Sequence, residues 1–260
     1  MELNLIVAFC KNRGIGINNE LPWNIPEDLK RFSKLTKGIL ATKKDNKKTN
    51  TNANANANAN TNDPTSFTHK NALIMGKNTW TSLPKKPLPK RDHLILSTSL
   101  QIDTIDSSGN NEIMKTFSSI DDCISFCKLK QYHKVWVIGG ASIYNQFIEK
   151  NIIDNMYITY IDKEYHCDTF FPPIKGPFVL YGKHLLSSEN KIWCPVSKVY
   201  YINRLYKRVY PKDVLFYKKN DKELAVTVSS IVKNKDGTCK YIIRYGDYNF
   251  VTTSDKLTYV

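Results

Sequence analysis

The 260-residue sequence predicts an α/β domain organised round a central sheet, followed by a small all-β unit. Two patterns carry this. From Leu5 to about Lys207, short apolar runs alternate with segments of helical period. After Arg208, β-rich runs follow one another with turn signals and no helical pattern between them. Leu5-Ile6-Val7-Ala8-Phe9 is apolar throughout, as a strand covered on both faces requires. A polar loop through Gly14-Ile15-Gly16-Ile17 leads to Leu21-Pro22-Trp23, and a helix over 26–36 starts at Pro26. The fixed φ of proline suits the first helical position, and its missing N–H costs nothing there. Strands then follow at 72–75, 92–97, 113–116, 134–138, 155–162, 178–182 and 198–206, with helices at 78–83, 118–128 and 141–149.

The longest interruption spans 37–70. It holds Lys43-Lys44-Asp45-Asn46-Lys47-Lys48 and an Asn-Ala repeat from Asn52 to Asn60, with almost no large apolar residue, so it is predicted to be a disordered surface loop. The tail reads as five strands: 214–217, 224–228, 241–245, 249–252 and 257–260, with turns at Asp236-Gly237 and Gly246-Asp247. Such spacing suits a small SH3-like or Tudor-like barrel. Its rings Tyr217, Tyr241, Tyr245, Tyr248 and Phe250 would fill its core or line a groove for a peptide or methylated side chain. Pro211 interrupts the ladder between the two parts. The expected domains are therefore 1–207 and 208–260, the second folding as a separate unit.

The N-terminus runs directly into a strand without a signal-type apolar run, and no segment is long and apolar enough to span a membrane, so a cytoplasmic, monomeric protein is expected. The six cysteines are dispersed without metal-type spacing, and no metal site is expected. Cys123 and Cys127 repeat with Ile120 and Ile124 at helical spacing, as core residues of one helix do. The formal charge of +14 would steer polyanionic small molecules and would also favour weak nucleic-acid or protein binding through the tail. A general abundance of Lys, Asn, Ile and Tyr is enough to produce it.

Asp28 is the informative carboxylate. On the helix from Pro26, Phe32 and Leu35 share its face at i+4 and i+7, whereas Lys30, Arg31 and Lys34 fall on faces that suit solvent. Spacing alone permits two readings: Glu27 and Asp28 as first-turn acids favoured by the helix dipole, or Asp28 as an inward carboxylate with a raised pKa.

The surrounding segments decide between them. After the first strand come the Ile-Gly loop, the Leu-Pro-Trp turn and Asp28. Later come Leu73-Ile74-Met75-Gly76-Lys77-Asn78-Thr79-Trp80, Pro87-Leu88-Pro89-Lys90-Arg91 and Leu94-Ile95-Leu96-Ser97-Thr98. Val135 to Tyr144, Tyr157 to Asp162 and Asp168-Thr169-Phe170-Phe171-Pro172 complete the series. Taken in this order, the segments resemble the dihydrofolate reductase family over most of residues 3 to about 207. The resemblance implies a mixed, mostly parallel eight-stranded sheet flanked by helices, with an antiparallel last strand. It also implies hydride transfer from NADPH to C6 of 7,8-dihydrofolate with protonation at N5. The product, tetrahydrofolate, supports one-carbon metabolism and thymidylate and purine synthesis, and antifolates are expected inhibitors.

Residue by residue, the resemblance places Asp28 at the pterin 2-amino group and N3, and groups Leu21 and Trp23 with it in the catalytic set. Ile6, Val7 and Ala8 would lie under the pterin, with Leu29 and Phe32 as one wall of the benzoyl site and Leu83 and Leu88 as the other. Arg91 matches the partner of the glutamate α-carboxylate, where a guanidinium makes two charge-assisted bonds. Thr159 supports the acid, and Ile138 and Tyr144 sit where pterin and nicotinamide meet. For the cofactor, Gly139-Gly140 with Ala141, Ser142 and Ile143 forms a strand-to-helix phosphate turn, with a cis Gly-Gly bond in the family. Gly76, Lys77, Asn78 and Thr79 form a second. Lys77, Ser97 and Thr98 would surround the 2′-phosphate, although Lys77 replaces a frequent Arg and lacks its fork. Ala8, Ile15, Gly16, Asn19, Glu20 and Leu21 belong to a mobile loop over the nicotinamide. Two alternatives remain: a riboflavin-pathway reductase of the same fold, for which the Pro-Trp-acid spacing is not expected, and an idle scaffold whose C-terminal barrel binds nucleic acid or a protein tail; a fusion to thymidylate synthase is excluded by length.

Overall fold

The structure, a computed structural model, describes residues 1–37, 39–40, 67–105, 112–181, 191–219 and 222–259. From the N-terminus, β1 (Glu2–Cys10) and β2 (Gly14–Gly16) precede α1 (Pro26–Thr36), which starts at the expected proline. The short strands β3 (Ile39–Leu40) and β4 (Phe67–His69) are followed by β5 (Ala72–Gly76), α2 (Lys77–Ser82), β6 (Asp92–Leu96), β7 (Asp103–Ile105) and β8 (Ile113–Phe117). Next come α3 (Ile120–Leu129), β9 (Lys134–Gly139), α4 (Ala141–Glu149), β10 (Asn155–Ile161), β11 (Thr169–Phe170), β12 (Phe178–Tyr181), β13 (Ile192–Cys194) and β14 (Val199–Arg208). The tail contributes β15 (Val214–Lys219), β16 (Lys222–Lys233), β17 (Cys239–Tyr245), β18 (Tyr248–Thr253) and β19 (Leu257–Tyr259).

The centre of the sheet runs β12-β14-β10-β1-β9-β5-β6-β8. Pairings from β10 through β8 are parallel, and β14 is antiparallel to both β10 and β12. Strand alternation divides the apolar residues of this centre between two layers. Leu3, Leu5, Val7 and Phe9 of β1 pack with Ile74, Val137 and the α3 and α4 residues Cys123, Cys127, Phe147 and Ile148. Ile6 packs on the other face with Leu73, Met75, Ile95 and Trp136, against Phe32 and Leu35 of α1.

The eight strands of this centre are part of a larger sheet. Fifteen of the described strands form one sheet, because β19 pairs parallel with β12 (Leu180↔Thr258, Tyr181↔Tyr259) and carries the sheet on through β15, β16, β17 and β18, while β2 with β11 and β3 with β4 make two separate ribbons. Val179 of β12 is buried in the tail's own apolar cluster with Val209, Leu215, Val226, Tyr241 and Leu257. The expected linker is thus partly core: β14 runs through Arg208, Val209 is buried, and the Tyr259 hydroxyl donates to Arg208 O at 2.8 Å. Of the tail rings, Tyr241 is fully buried, Tyr217 packs on Phe250 with centroids 5.5 Å apart, and Tyr245 and Tyr248 are exposed.

Most of the segment predicted as a loop at 37–70 lies outside the described residues. Its two described ends, β3 and β4, pair antiparallel (Ile39↔His69). Because this ribbon already brings its ends together, replacing residues 41–66 by a short Gly-Ser linker should change activity less than about twofold and stability by ~1 kcal/mol or less. Activity assays and denaturant unfolding check this, and a large loss of activity would place the segment at the site.

Candidate active site

Register across three neighbouring strands sets the floor of the site. Ala8 of β1 lies beside Thr159 of β10, and Thr159 beside Asn203 of β14. Over this row α1 presents Asp28, whose Oδ1 accepts the Thr159 hydroxyl at 2.5 Å. Asn203 Oδ1 lies 3.1 Å from the same hydroxyl oxygen. A hydroxyl has one hydrogen, so with Asp28 taking it the Asn203 amide satisfies this contact by turning its NH2 toward Thr159. Burial raises the Asp28 pKa above its ordinary value, while the Thr159 bond and the charge of Arg31 pull it back in part. The inward reading of Asp28 is the one the fold adopts.

Arg31 departs from expectation. Instead of facing solvent it turns inward, its Nη1 3.4 Å from Thr159 Oγ1 and its guanidinium carbon 5.9 Å from the Tyr157 ring centroid. Asn203 was not singled out by the sequence reading either, because a pairing register between strands 44 residues apart leaves no local pattern.

An apolar wall lies beside the carboxylate. Ile6, Phe32, Leu83, Leu88 and Ile138 belong to one packed group on that face of the sheet. Val7 points into the opposite layer, so toward the site it offers only backbone. Leu29 is 53% exposed at the rim and Leu21 55% exposed. Trp23 is buried against Tyr165 with ring centroids 5.5 Å apart, and its turn is pinned by Ser197, whose Oγ accepts Asn24 N at 2.9 Å. At the far end Arg91 is only 3% exposed. Its guanidinium lies over Phe32 at 5.5 Å and donates to Thr36 Oγ1, while its buried Nε has no protein partner. Desolvation, partly offset by Glu112, pushes its pKa down to about 10. His93, driven down to about 3 by burial and Arg91, is neutral, and its Nε2 accepts Leu88 N at 3.0 Å, fixing the loop that carries Leu88.

Two strand-to-helix turns lie side by side. Gly76 ends β5 and caps α2, and Gly140 follows β9 and caps α4; a Cβ on Gly140 would stand 3.4 Å from Thr79 Oγ1. The Gly139-Gly140 bond is cis. Gly139 has φ +116°, and a Cβ there would meet the Tyr144 ring at 3.1 Å, so only glycine fits. The Tyr144 hydroxyl donates to Ile6 O at 2.8 Å, tying α4 to the floor. Ser142 is exposed and Ala141 and Ile143 complete the first turn of α4. Asn78 and Thr98 are exposed; exposed Lys77 reaches Ser99 Oγ at 3.2 Å, and Ser97 Oγ accepts Leu100 N at 3.0 Å. The Ile15-Gly16 segment pairs with Thr169, and Asp168 accepts Asn18 N at 2.7 Å, close to Asn19 and Glu20 in a turn closed by the Ile17–Glu20 bridge.

All six cysteines are free and buried, and among the described residues no His, Cys, Asp and Glu side chains gather as metal ligands would. No described helix is long and apolar enough to cross a membrane.

Comparison with known proteins places this geometry. The chain is 30% identical over 211 residues to the dihydrofolate reductase of Heliothis virescens, covering 80% of this chain and 98% of that protein. It is 32% identical over 184 residues to that of Drosophila melanogaster, covering 68% and 83%. It is 35% identical over 176 residues to a bifunctional dihydrofolate reductase-thymidylate synthase of Arabidopsis thaliana, covering 65% and 26%. A family profile described as dihydrofolate reductase matches residues 2–42 and 60–201, a range that contains the carboxylate, the apolar wall, the buried arginine and both glycine turns, and the chain accordingly belongs to the dihydrofolate reductase family.

Proposed function

We propose that this protein reduces 7,8-dihydrofolate to 5,6,7,8-tetrahydrofolate with NADPH. The observation that carries the reading is Asp28, a carboxylate held by Thr159 at the end of an apolar wall whose other end is the buried Arg91. With one oxygen engaged by Thr159, Asp28 offers its other oxygen to the pterin 2-amino group and N3. Its negative charge favours a proton at N5, which arrives by way of water. Phe32, Leu83 and Leu88 enclose the flat benzoyl portion and keep water from it. Arg91, whose Nε lacks a protein partner, is suited to a carboxylate at the glutamate end.

The two turns fit a dinucleotide. Neither α2 nor α4 has a side-chain cap, so their first N–H groups face outward from glycines at which backbone can approach closely. Gly76 and Gly140 would hold the pyrophosphate, and Lys77, Ser97 and Thr98 the adenosine 2′-phosphate. When bound, NADPH supplies the hydride. The decisive experiment follows NADPH absorbance with dihydrofolate present; no consumption would overturn the reading.

Arg91→Lys should raise KM for dihydrofolate about tenfold or more while kcat changes less than about threefold, since it removes a bidentate contact made equally in ground and transition states. Steady-state kinetics check this, and an unchanged KM would remove Arg91 from the substrate site.

A further inference from the structure

Nothing in the chemistry above uses Arg31, yet its guanidinium is turned inward from α1 and reaches Thr159 Oγ1 at 3.4 Å. The hydroxyl is the hinge of the arrangement. It has a single hydrogen, which goes to Asp28, so the N–H of Arg31 meets a lone pair and leaves that hydrogen one direction to point. Among the described residues, the other groups around Asp28 are uncharged: Thr159 on β10, Tyr201 and Asn203 on β14, and Tyr144 on α4. Burial keeps both phenols protonated at neutral pH. On α1 itself, Glu27 is the adjacent acid and is exposed, whereas Arg31 is the cation that acts on the Asp28 charge.

We propose that Arg31 is a positioning residue of the reductase site: by donating to the Thr159 hydroxyl it aims that hydrogen at Asp28, and its fixed charge favours the ionised carboxylate. Without it Asp28 would face desolvation with only a neutral hydrogen bond to offset it. Any effect on turnover depends on Asp28 being the working carboxylate; the effect on Asp28 ionisation does not.

Carbon-13 NMR titration of the Asp28 carboxyl separates the two. The signal is assigned in the full-length protein by its loss in Asp28→Asn, then followed in Arg31→Lys, Arg31→Gln and Arg31→Met. The lysine variant, which keeps the charge, should titrate within about 0.3 pH unit of the parent, and the glutamine and methionine variants should titrate about one pH unit higher. The midpoint of the pH dependence of turnover should move by the same amount. A methionine variant within about 0.3 pH unit of the parent would overturn the role of Arg31, as would a lysine variant shifted as far as the methionine one. An NMR midpoint that moves while the rate profile stays still would uphold the coupling and remove Asp28 as the working carboxylate.

Discussion

Asp28→Asn should lower turnover at pH 7 by about two to four orders of magnitude while leaving NADPH binding nearly unchanged. The amide keeps the shape of the side chain and can still accept the Thr159 hydrogen, so packing is conserved. What disappears is the negative charge proposed above to favour a proton at N5. Stability should move the other way. The folded-state pKa of Asp28 is raised above 3.8, so the fold prefers the protonated form. Below the unfolded value this costs nothing; as pH rises through the folded value the cost of holding the charge grows, and it is fully present at pH 7 if the folded value lies below that. Asp28→Asn removes this cost, and its Tm at pH 7 should equal or exceed that of the parent. Turnover in the variant comparable to the parent's would sink the assignment of Asp28, and a lower Tm would show that the carboxylate is better satisfied than its burial implies.

Removal of residues 210–260 is the second large effect expected, and here the structure argues against an independent tail. Val179 and Val209 lose the cluster that buries them, and the outer edge of β12 is left unpaired. Exposing two fully buried valines costs roughly 3 kcal/mol or more, before any contribution from the lost ladder. An open edge strand also invites aggregation. The site lies across β1, β10 and the inner part of β14, away from β19, so turnover per folded molecule should stay within about twofold of the parent. Denaturant unfolding and active-site titration together measure both effects. Unchanged stability, with cooperative unfolding of the excised tail, would establish instead that 208–260 is a self-sufficient domain.

Much of the fold was legible because it is encoded locally. Pro26 started its helix, the apolar runs became the strands of the central sheet, and the glycine pair ended β9 where a side chain cannot fit. The short pieces β2, β3, β4, β7, β11 and β13 were not legible: two or three residues carry no periodicity, and each is defined only by the strand it pairs with, near in sequence for β7 and β13 and distant for β2 and β11.

From the sequence alone came the helix starting at Pro26 with Phe32 and Leu35 on the face of Asp28, since residue spacing fixes helix faces; the inward role of Asp28 and the two glycine turns as phosphate sites came from the family resemblance. Tertiary structure alone decided that Arg31 and Asn203 join Thr159 beside that carboxylate. Arg31 lies only about 60° round the helix from Asp28, on a boundary where a long cation can turn either way, and the Thr159 hydroxyl on a strand 128 residues later turned it inward. Asn203 came abreast through strand register, and the tail joined the sheet because β12 had an edge to fill. Such choices depend on which surfaces the closed fold brings together, and no local pattern of residues contains them.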